Sequence, residues 1–201
     1  MTETNPKRRR MPTGYRIART LVDSRGIEAA LDALASQIRG RNPEPGRLAL
    51  IGVRRGGVHL AQRLARRLST PGHEVPIGVV DITLYRDDLD RVGANPIVGP
   101  TEIPFEIEGI TVVLVDDVLY TGRTIRAALD ALLDYGRPRC VQLAVLVDRG
   151  HRELPIQADY VGQRIETRPD EQVEVLLVEE GGDDSAVLLE RQPGAGGAGH
   201  A

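Results

Sequence analysis

Three apolar runs, LALIGV (48–53), ITVVLV (110–115) and CVQLAVLV (140–147), contain almost no alternating polar residues. A strand with one wet face alternates apolar and polar side chains, so runs of this kind belong to strands covered on both faces. Between them the apolar spacing changes to three and four. Ile27, Leu31, Leu34 and Ile38 fall on one stripe of a helix across 27–38, with Asp23 or Ser24 as its N-cap. Leu60, Leu64 and Leu68 do the same across 58–68, and Ile125, Leu129, Leu132 and Leu133 across 123–135. IGVVDITLY (77–85) reads as a further strand, and shorter strands are expected near 159–161, 173–178 and 186–189. Covered strands alternating with helices predict an α/β fold, a central and mostly parallel sheet flanked by helices.

The connections carry their own signals. RNPEPG (41–46) is a loop, and 86–104 is polar and broken by Gly93, Pro96, Gly99, Pro100 and Pro104, which predicts a mobile excursion. Lys7-Arg8-Arg9-Arg10 lies between Pro6 and Pro12, and the chain ends in GAGGAGHA, so 1–14 and 191–201 read as flexible tails. That leaves a single domain over 15–190, and 41% hydrophobic residues supply a real core. A net charge of −3 gives the whole chain no pull on nucleic acid or acidic lipid. No apolar run approaches a membrane span and the first residues lack a signal-peptide stretch, so a soluble, cytoplasmic protein is expected. Cys140 is the one cysteine, which excludes an internal disulfide and a multi-cysteine metal site. At the head of an apolar run it reads as a buried structural thiol.

In sheets of this kind ligands bind where strands end, in the loops that lead into helices. Three loops qualify: 54–57, 85–104 and 116–124. In the last, Tyr120-Thr121-Gly122-Arg123-Thr124 turns a strand into a helix. Such a turn aims several backbone N–H groups at one spot, where the helix dipole adds partial positive charge. Gly122 permits close approach, and Thr121 and Thr124 offer hydroxyls. From the turn alone, a Thr-capped helix with no ligand reads equally well. It is not a Walker loop, because no Gly-Lys-Ser/Thr follows. Asp116 and Asp117 stand immediately upstream, and adjacent like charges are costly as pure structure. A ribose 5-phosphate accounts for both features, with phosphate in the turn and ribose hydroxyls on the carboxylates. Arg54-Arg55-Gly56-Gly57 ends the 48–53 strand, and its guanidiniums suit a second anionic group. Arg86, at the mouth of the excursion, is a third anion contact or a solvated loop arginine.

VVLVDDVLYTGRT (112–124) resembles the 5-phosphoribosyl-1-pyrophosphate (PRPP) motif of type I phosphoribosyltransferases. With DITLYRDDL (81–89) and VQLAVLVDRGHRELPI (141–156), the chain from about 15 to 190 resembles the bifunctional pyrimidine operon regulatory protein/uracil phosphoribosyltransferase family. The resemblance implies a type I phosphoribosyltransferase fold, with a small hood of short strands and a flexible active-site loop. It implies the reaction of uracil with PRPP to give UMP and pyrophosphate, with Mg2+ carried on substrate oxygens rather than by dedicated protein ligands. The transition state would be oxocarbenium-like at ribose C1, so catalysis is mostly positioning and charge stabilisation. Carried over by position, Asp116 and Asp117 hold the ribose hydroxyls and also stand near the Mg2+. Val118, Leu119, Tyr120, Thr121, Gly122, Arg123 and Thr124 form the 5-phosphate loop. Arg55, with Arg54 and Gly56, lines the pyrophosphate loop, Arg86 closes over it, and Arg149 and Val173, the latter through its backbone, border the uracil pocket. A homodimer or dimer of dimers is implied as well.

The family also binds a hairpin in the pyrimidine-operon leader mRNA in a UMP-dependent way, attenuating transcription, and His151 and Arg152 are the candidate RNA contacts that match. Two departures stand out. The pyrophosphate loop reads Arg55-Gly56-Gly57 where the family has Thr-Arg-Gly, closer to the Lys-Gly-Gly of purine-salvage relatives. That leaves Arg54 and Arg55 as alternatives for the pyrophosphate and a purine-type transferase as a weaker reading. In the first helix the family pattern Arg-Arg-Ala-Leu-Thr-Arg-Ile-Ala-His is replaced by EAALDALAS (28–36). Glu28, Asp32, Ala33 and Ser36 therefore occupy polar positions, and Gln157 and Gln163 stand for Arg and Lys. Lost cations weaken RNA binding steeply, so three readings stay open: enzyme and regulator together, a regulator that mainly senses UMP, or an enzyme alone.

Overall fold

The computed structural model describes residues 14–54, 56–83 and 101–192. In chain order it contains β1 (Tyr15–Val22), α1 (Ser24–Arg41), β2 (Leu48–Val53), α2 (Gly56–Leu68), β3 (Ile77–Val80), β4 (Thr111–Leu119), α3 (Arg123–Leu133), β5 (Cys140–Asp148), β6 (Tyr160–Arg164), β7 (Gln172–Leu176) and β8 (Ser185–Arg191). The three uninterrupted apolar runs become the centre of a five-stranded sheet of order β3-β2-β4-β5-β6, parallel at every pairing. β2 is buried at all six positions, which is why its sequence shows no alternation. A second, antiparallel sheet of order β1-β8-β7 forms the hood.

Two cores follow from the two faces. On one, the α1 stripe Ile27, Leu31, Leu34 and Ile38 and the α2 stripe Leu60, Leu64 and Leu68 pack with Val113, Val115 and the hood residues Val175 and Leu188. On the other, Ile125 and Leu132 of α3 pack with Ile51, Leu114 and Val145. Asp23 caps α1 by accepting from the Gly26 N–H at 2.8 Å. No described helix is long and apolar enough to cross a membrane.

Several expectations shift. β3 stops at Val80 rather than running to 85. Asp81 leaves the ladder, its N–H donating to Thr101 Oγ1 and its carboxylate accepting from Thr83 N–H. β4 continues beyond its apolar run through both carboxylates to Leu119, because β5 pairs with it as far as Asp148. Leu133 is 57% exposed: α3 ends there, and its buried side is Ile125, Ala128, Ala131 and Leu132. Cys140 is only half-buried, its Sγ 3.5 Å from Thr111 Oγ1 at the rim of the core. β1 adds a strand that no sequence period marks, since five of its eight residues are exposed. Arg191, assigned to the tail, is the last residue of β8. Glu102 bridges back to Val79; the rest of the excursion from 84 to 100, and the tails 1–13 and 193–201, lie outside the described residues.

Candidate active site

The strand order determines where a ligand fits. β2 leads to its neighbour β3 on one side, whereas β4 leads to β5 and β6 on the other. Between β2 and β4 the direction of winding reverses, and the crevice at their carboxyl ends is the standard binding position of such sheets. Both helices that leave this crevice start within it: α2 at Gly56, directly after β2, and α3 at Arg123, after β4. Two helix N-termini therefore flank Asp116 and Asp117, supplying the positive field that two adjacent carboxylates need.

The loops 54–57 and 116–124 are in contact. A Cβ on Gly56 would fall 2.2 Å from Asp117 Oδ2, and one on Gly57 would fall 2.1 Å from the Val115 carbonyl oxygen. No side chain fits at either position, so the Gly-Gly pair is what brings the start of α2 against the acidic end of β4. Asp116 is almost fully buried; its Oδ1 accepts from Asp117 N–H at 3.0 Å, and Asp117 Oδ1 accepts from Val118 N–H at 2.8 Å. Local backbone bonds thus hold both carboxylates in place.

At α3 the Thr-capped alternative is not what forms. The N-cap is Gly122 at φ 92°, with no side-chain cap. Thr121 Oγ1 reaches Arg123 N–H at only 3.4 Å, and the first bond of the helix is Arg126 N–H to Gly122 O. The N-cap residue itself offers no side-chain acceptor to the first turn, whose backbone N–H groups are of the kind an anion cradle uses. Over this turn lies the segment after β5. Glu153 and Leu154 N–H donate to Thr121 O, and Arg123 pairs with Glu153 at 2.7 Å.

Arg152 organises that segment. Its guanidinium donates to the carbonyls of Tyr120 (2.8 Å), Gly150 (3.0 Å) and Ile156 (2.9 Å) and to Asp148 Oδ1 (2.6 Å). Arg152 therefore stitches the turn that begins at Tyr120 to the end of β5, a role its sequence position does not disclose. His151, exposed at φ 59°, bonds Thr167 O through Nε2 at 2.7 Å and meets Tyr120 edge-on. Beside them a cleft of about 350 Å³ opens, lined by Tyr15, Tyr120, Arg149, Glu171, Gln172 and Arg191 among others. Arg149 lies 4.0 Å over the Tyr120 ring and donates to Thr167 Oγ1 and Arg168 O. Burial lowers its pKa from the ordinary guanidinium value, opposed by Tyr120 and Glu171. The side chain of Val173 is buried in the core, which leaves its backbone as the part beside the cleft-lining Gln172.

Arg54 turns towards the end of β3, its Nε 3.5 Å from Asp81 Oδ2. Arg55 and Arg86 lie outside the described residues. On α1, Glu28 and Asp32 are not free-standing acids: both pair with Arg67 of α2, Asp32 at 2.7 Å, and Glu28 also lies 3.5 Å from Arg63. Ala33, Ser36, Gln157 and Gln163 are exposed. Among the described residues no three His, Cys, Asp or Glu side chains come together as a metal cage. An oxygen-bound divalent cation that arrives on a polyanionic substrate fits a site offering two carboxylates and two helix N-termini.

Comparison with known proteins agrees with this geometry. The model of the phosphoribosyl transferase domain family matches residues 18–179. The chain is 54% identical over 171 residues to the Bifunctional protein PyrR of Pelotomaculum thermopropionicum, covering 85% of this chain and 94% of the relative. It is 55% identical over 172 residues to that of Deinococcus radiodurans, with coverage of 85% and 94%. Among solved structures, a hypoxanthine-guanine phosphoribosyltransferase from Bacillus anthracis superposes with a TM-score of 0.64 at 22% identity, over 87% of this chain and 99% of the other. A hypoxanthine phosphoribosyltransferase from Staphylococcus aureus gives 0.64 at 20%, over 88% and 94%. The structural likeness is one of fold, the type I phosphoribosyltransferase fold.

Proposed function

From its membership in the phosphoribosyltransferase family, to which this chain belongs as a relative of the PyrR proteins, we propose that it transfers the phosphoribosyl group of PRPP to uracil, releasing pyrophosphate. The observation that carries the reading is the contact of Gly56 with Asp117 beside an uncapped α3, which lets one phosphorylated sugar reach both loops. In this reading the first-turn N–H groups of α3 and the hydroxyls of Thr121 and Thr124 bind the 5-phosphate. Asp116 and Asp117 accept hydrogen bonds from the ribose hydroxyls and favour positive charge developing at ribose C1. The N-terminus of α2, with Arg55, receives the pyrophosphate. Arg54, already facing Asp81, is the weaker of the two candidates. Arg86 closes from the 84–100 segment to exclude water. The base lies in the cleft beside Arg149 and Tyr120, with Val173 contributing backbone at most. A divalent cation carried on the substrate, with Asp116 and Asp117 near it, would supply positive charge to the pyrophosphate. As uracil N1 bonds to ribose C1 and the bond from C1 to pyrophosphate breaks, the N1 proton passes to the departing pyrophosphate or to water, so the reading assigns no general base to the chain.

Pyrophosphate release from PRPP is measured with uracil, hypoxanthine and guanine in turn. Release with uracil alone is expected, and Asp117→Asn is expected to cut kcat by about 100-fold with an unchanged circular dichroism spectrum. Turnover with a purine but not with uracil would reverse the base assignment.

UMP-dependent binding of a pyrimidine leader mRNA belongs to the same proposal. What favours it is that Arg67 and Arg63 engage Glu28 and Asp32, which reduces their repulsion of an RNA backbone. Because Arg152 is committed internally, the contact surface on that side reduces to His151. A gel shift against the leader hairpin, with and without UMP over a salt series, tests this. No shift at low salt leaves an enzyme alone.

A further inference from the structure

One side of the base cleft comes from the two ends of the hood. Tyr15 opens β1, Arg191 closes β8 in register with it, and Gln172 opens β7. All three line the cleft together with the stacked Arg149 and Tyr120. The phenolic oxygen of Tyr15 accepts from Gln172 Nε2 at 2.9 Å and from Arg191 Nε at 3.2 Å. A phenol has two acceptor positions and one hydrogen. Both acceptor positions are filled, so Tyr15 acts only as a donor, and no acceptor for its hydrogen is present among the described residues. It is also half-buried, whereas Arg191 is exposed, so a bond made by the neutral phenol is less diluted by water than one made by the guanidinium.

We propose that Tyr15 is a specificity-determining residue for the base, donating its hydrogen to the 4-carbonyl oxygen of the pyrimidine; the proposal rests on the uracil reading above. Uracil presents a carbonyl at C4, where cytosine presents an amino group that is itself a donor. A fixed donor at that point selects between them, because the wrong base leaves two donors facing each other. The contact lies away from ribose C1, so it acts on base binding rather than on bond cleavage.

Steady-state kinetics of Tyr15→Phe test it. KM for uracil is expected to rise about three- to tenfold, as the loss of one hydrogen bond predicts, while KM for PRPP changes by less than about twofold. Sulfur accepts hydrogen bonds poorly, so 4-thiouracil should be disfavoured against uracil by wild type and no longer by Tyr15→Phe, with 2-thiouracil discrimination the same in both proteins. An unchanged KM for uracil, or an undiminished 4-thiouracil penalty in the variant, overturns the proposal. Should Tyr15→Phe lack a cooperative melting transition, Gln172→Leu and Arg191→Met serve instead. Each empties one acceptor position and lets the phenol turn away, raising KM for uracil at least about twofold; no rise in either overturns the proposal. If wild type releases no pyrophosphate with uracil, the base reading itself falls and takes this inference with it. If wild type is active and only the predicted variant effects are missing, the inference alone falls.

Discussion

Replacing Arg63 by Met should detach the hood from the α/β core. Arg63 is 5% exposed, and its guanidinium donates to Glu179 Oε1 and Oε2 at 2.8 and 2.5 Å and to Asp184 Oδ2 and Oδ1 at 2.5 and 2.9 Å. These contacts tie α2 to the residues between β7 and β8, more than a hundred positions along the chain. Asp184 and Glu179 raise the Arg63 pKa, and in return Arg63 holds both carboxyls below their usual range. Removing one partner of a buried ion pair costs about 3–5 kcal/mol, because the other charge stays behind. Asp184 is 9% exposed but Glu179 is 27% exposed, so water relieves part of the loss and about 3 kcal/mol is expected at pH 7. For a chain of this length each kcal/mol moves Tm by roughly 2–4 °C, so Tm should fall by about 6–12 °C. A carboxyl with a depressed folded pKa stabilises fully above its unfolded value near 4 and loses that contribution as pH falls through the folded value. The gap in Tm between wild type and Arg63→Met should therefore narrow as thermal melts are taken from pH 7 down to about pH 3. A gap that stays constant over that range, or that is below about 2 °C at pH 7, would show that the ion pairs are not what holds the hood.

Gly57→Ala would put a methyl group 2.1 Å from the Val115 carbonyl oxygen; kcat/KM for PRPP should drop by at least about 100-fold, and wild-type kinetics would disprove the packing argument. Arg152→Ala should lower both Tm and transferase activity in the absence of any RNA, since it frees three carbonyls and Asp148; an effect confined to gel shifts would contradict the stitching role. Tyr160→Phe removes a hydroxyl shared with Asn42 and Gln142 at the amino ends of β5 and β6. Urea denaturation should reveal a loss of about 1–2 kcal/mol with unaltered transfer kinetics, because this network lies at the opposite end of the sheet from the site.

The contrast between α1 and β1 shows how far local pattern reaches. α1 declares itself through four apolar residues on one stripe and an Asp cap, and the covered strands through unbroken apolar runs, because burial on a regular element leaves a period in the chain. The candidate site in 116–124 is legible for a similar reason: its carboxylates, glycine and hydroxyls lie close together in the chain, so their order survives in the sequence. β1 is exposed at five positions and leaves no period, and Leu133 fits the helical stripe but falls on the last turn, beyond the sheet that would cover it. Nor does the sequence reveal partners. The sequence shows neither the carbonyls that Arg152 gathers, nor Arg67 beside Glu28 and Asp32, nor Gln172 and Arg191 on the oxygen of Tyr15. Apolar burial is non-directional and repeats along an element, so residues near in sequence report it. A hydrogen bond or ion pair joins two particular atoms whose approach depends on how the sheet winds and where the hood docks.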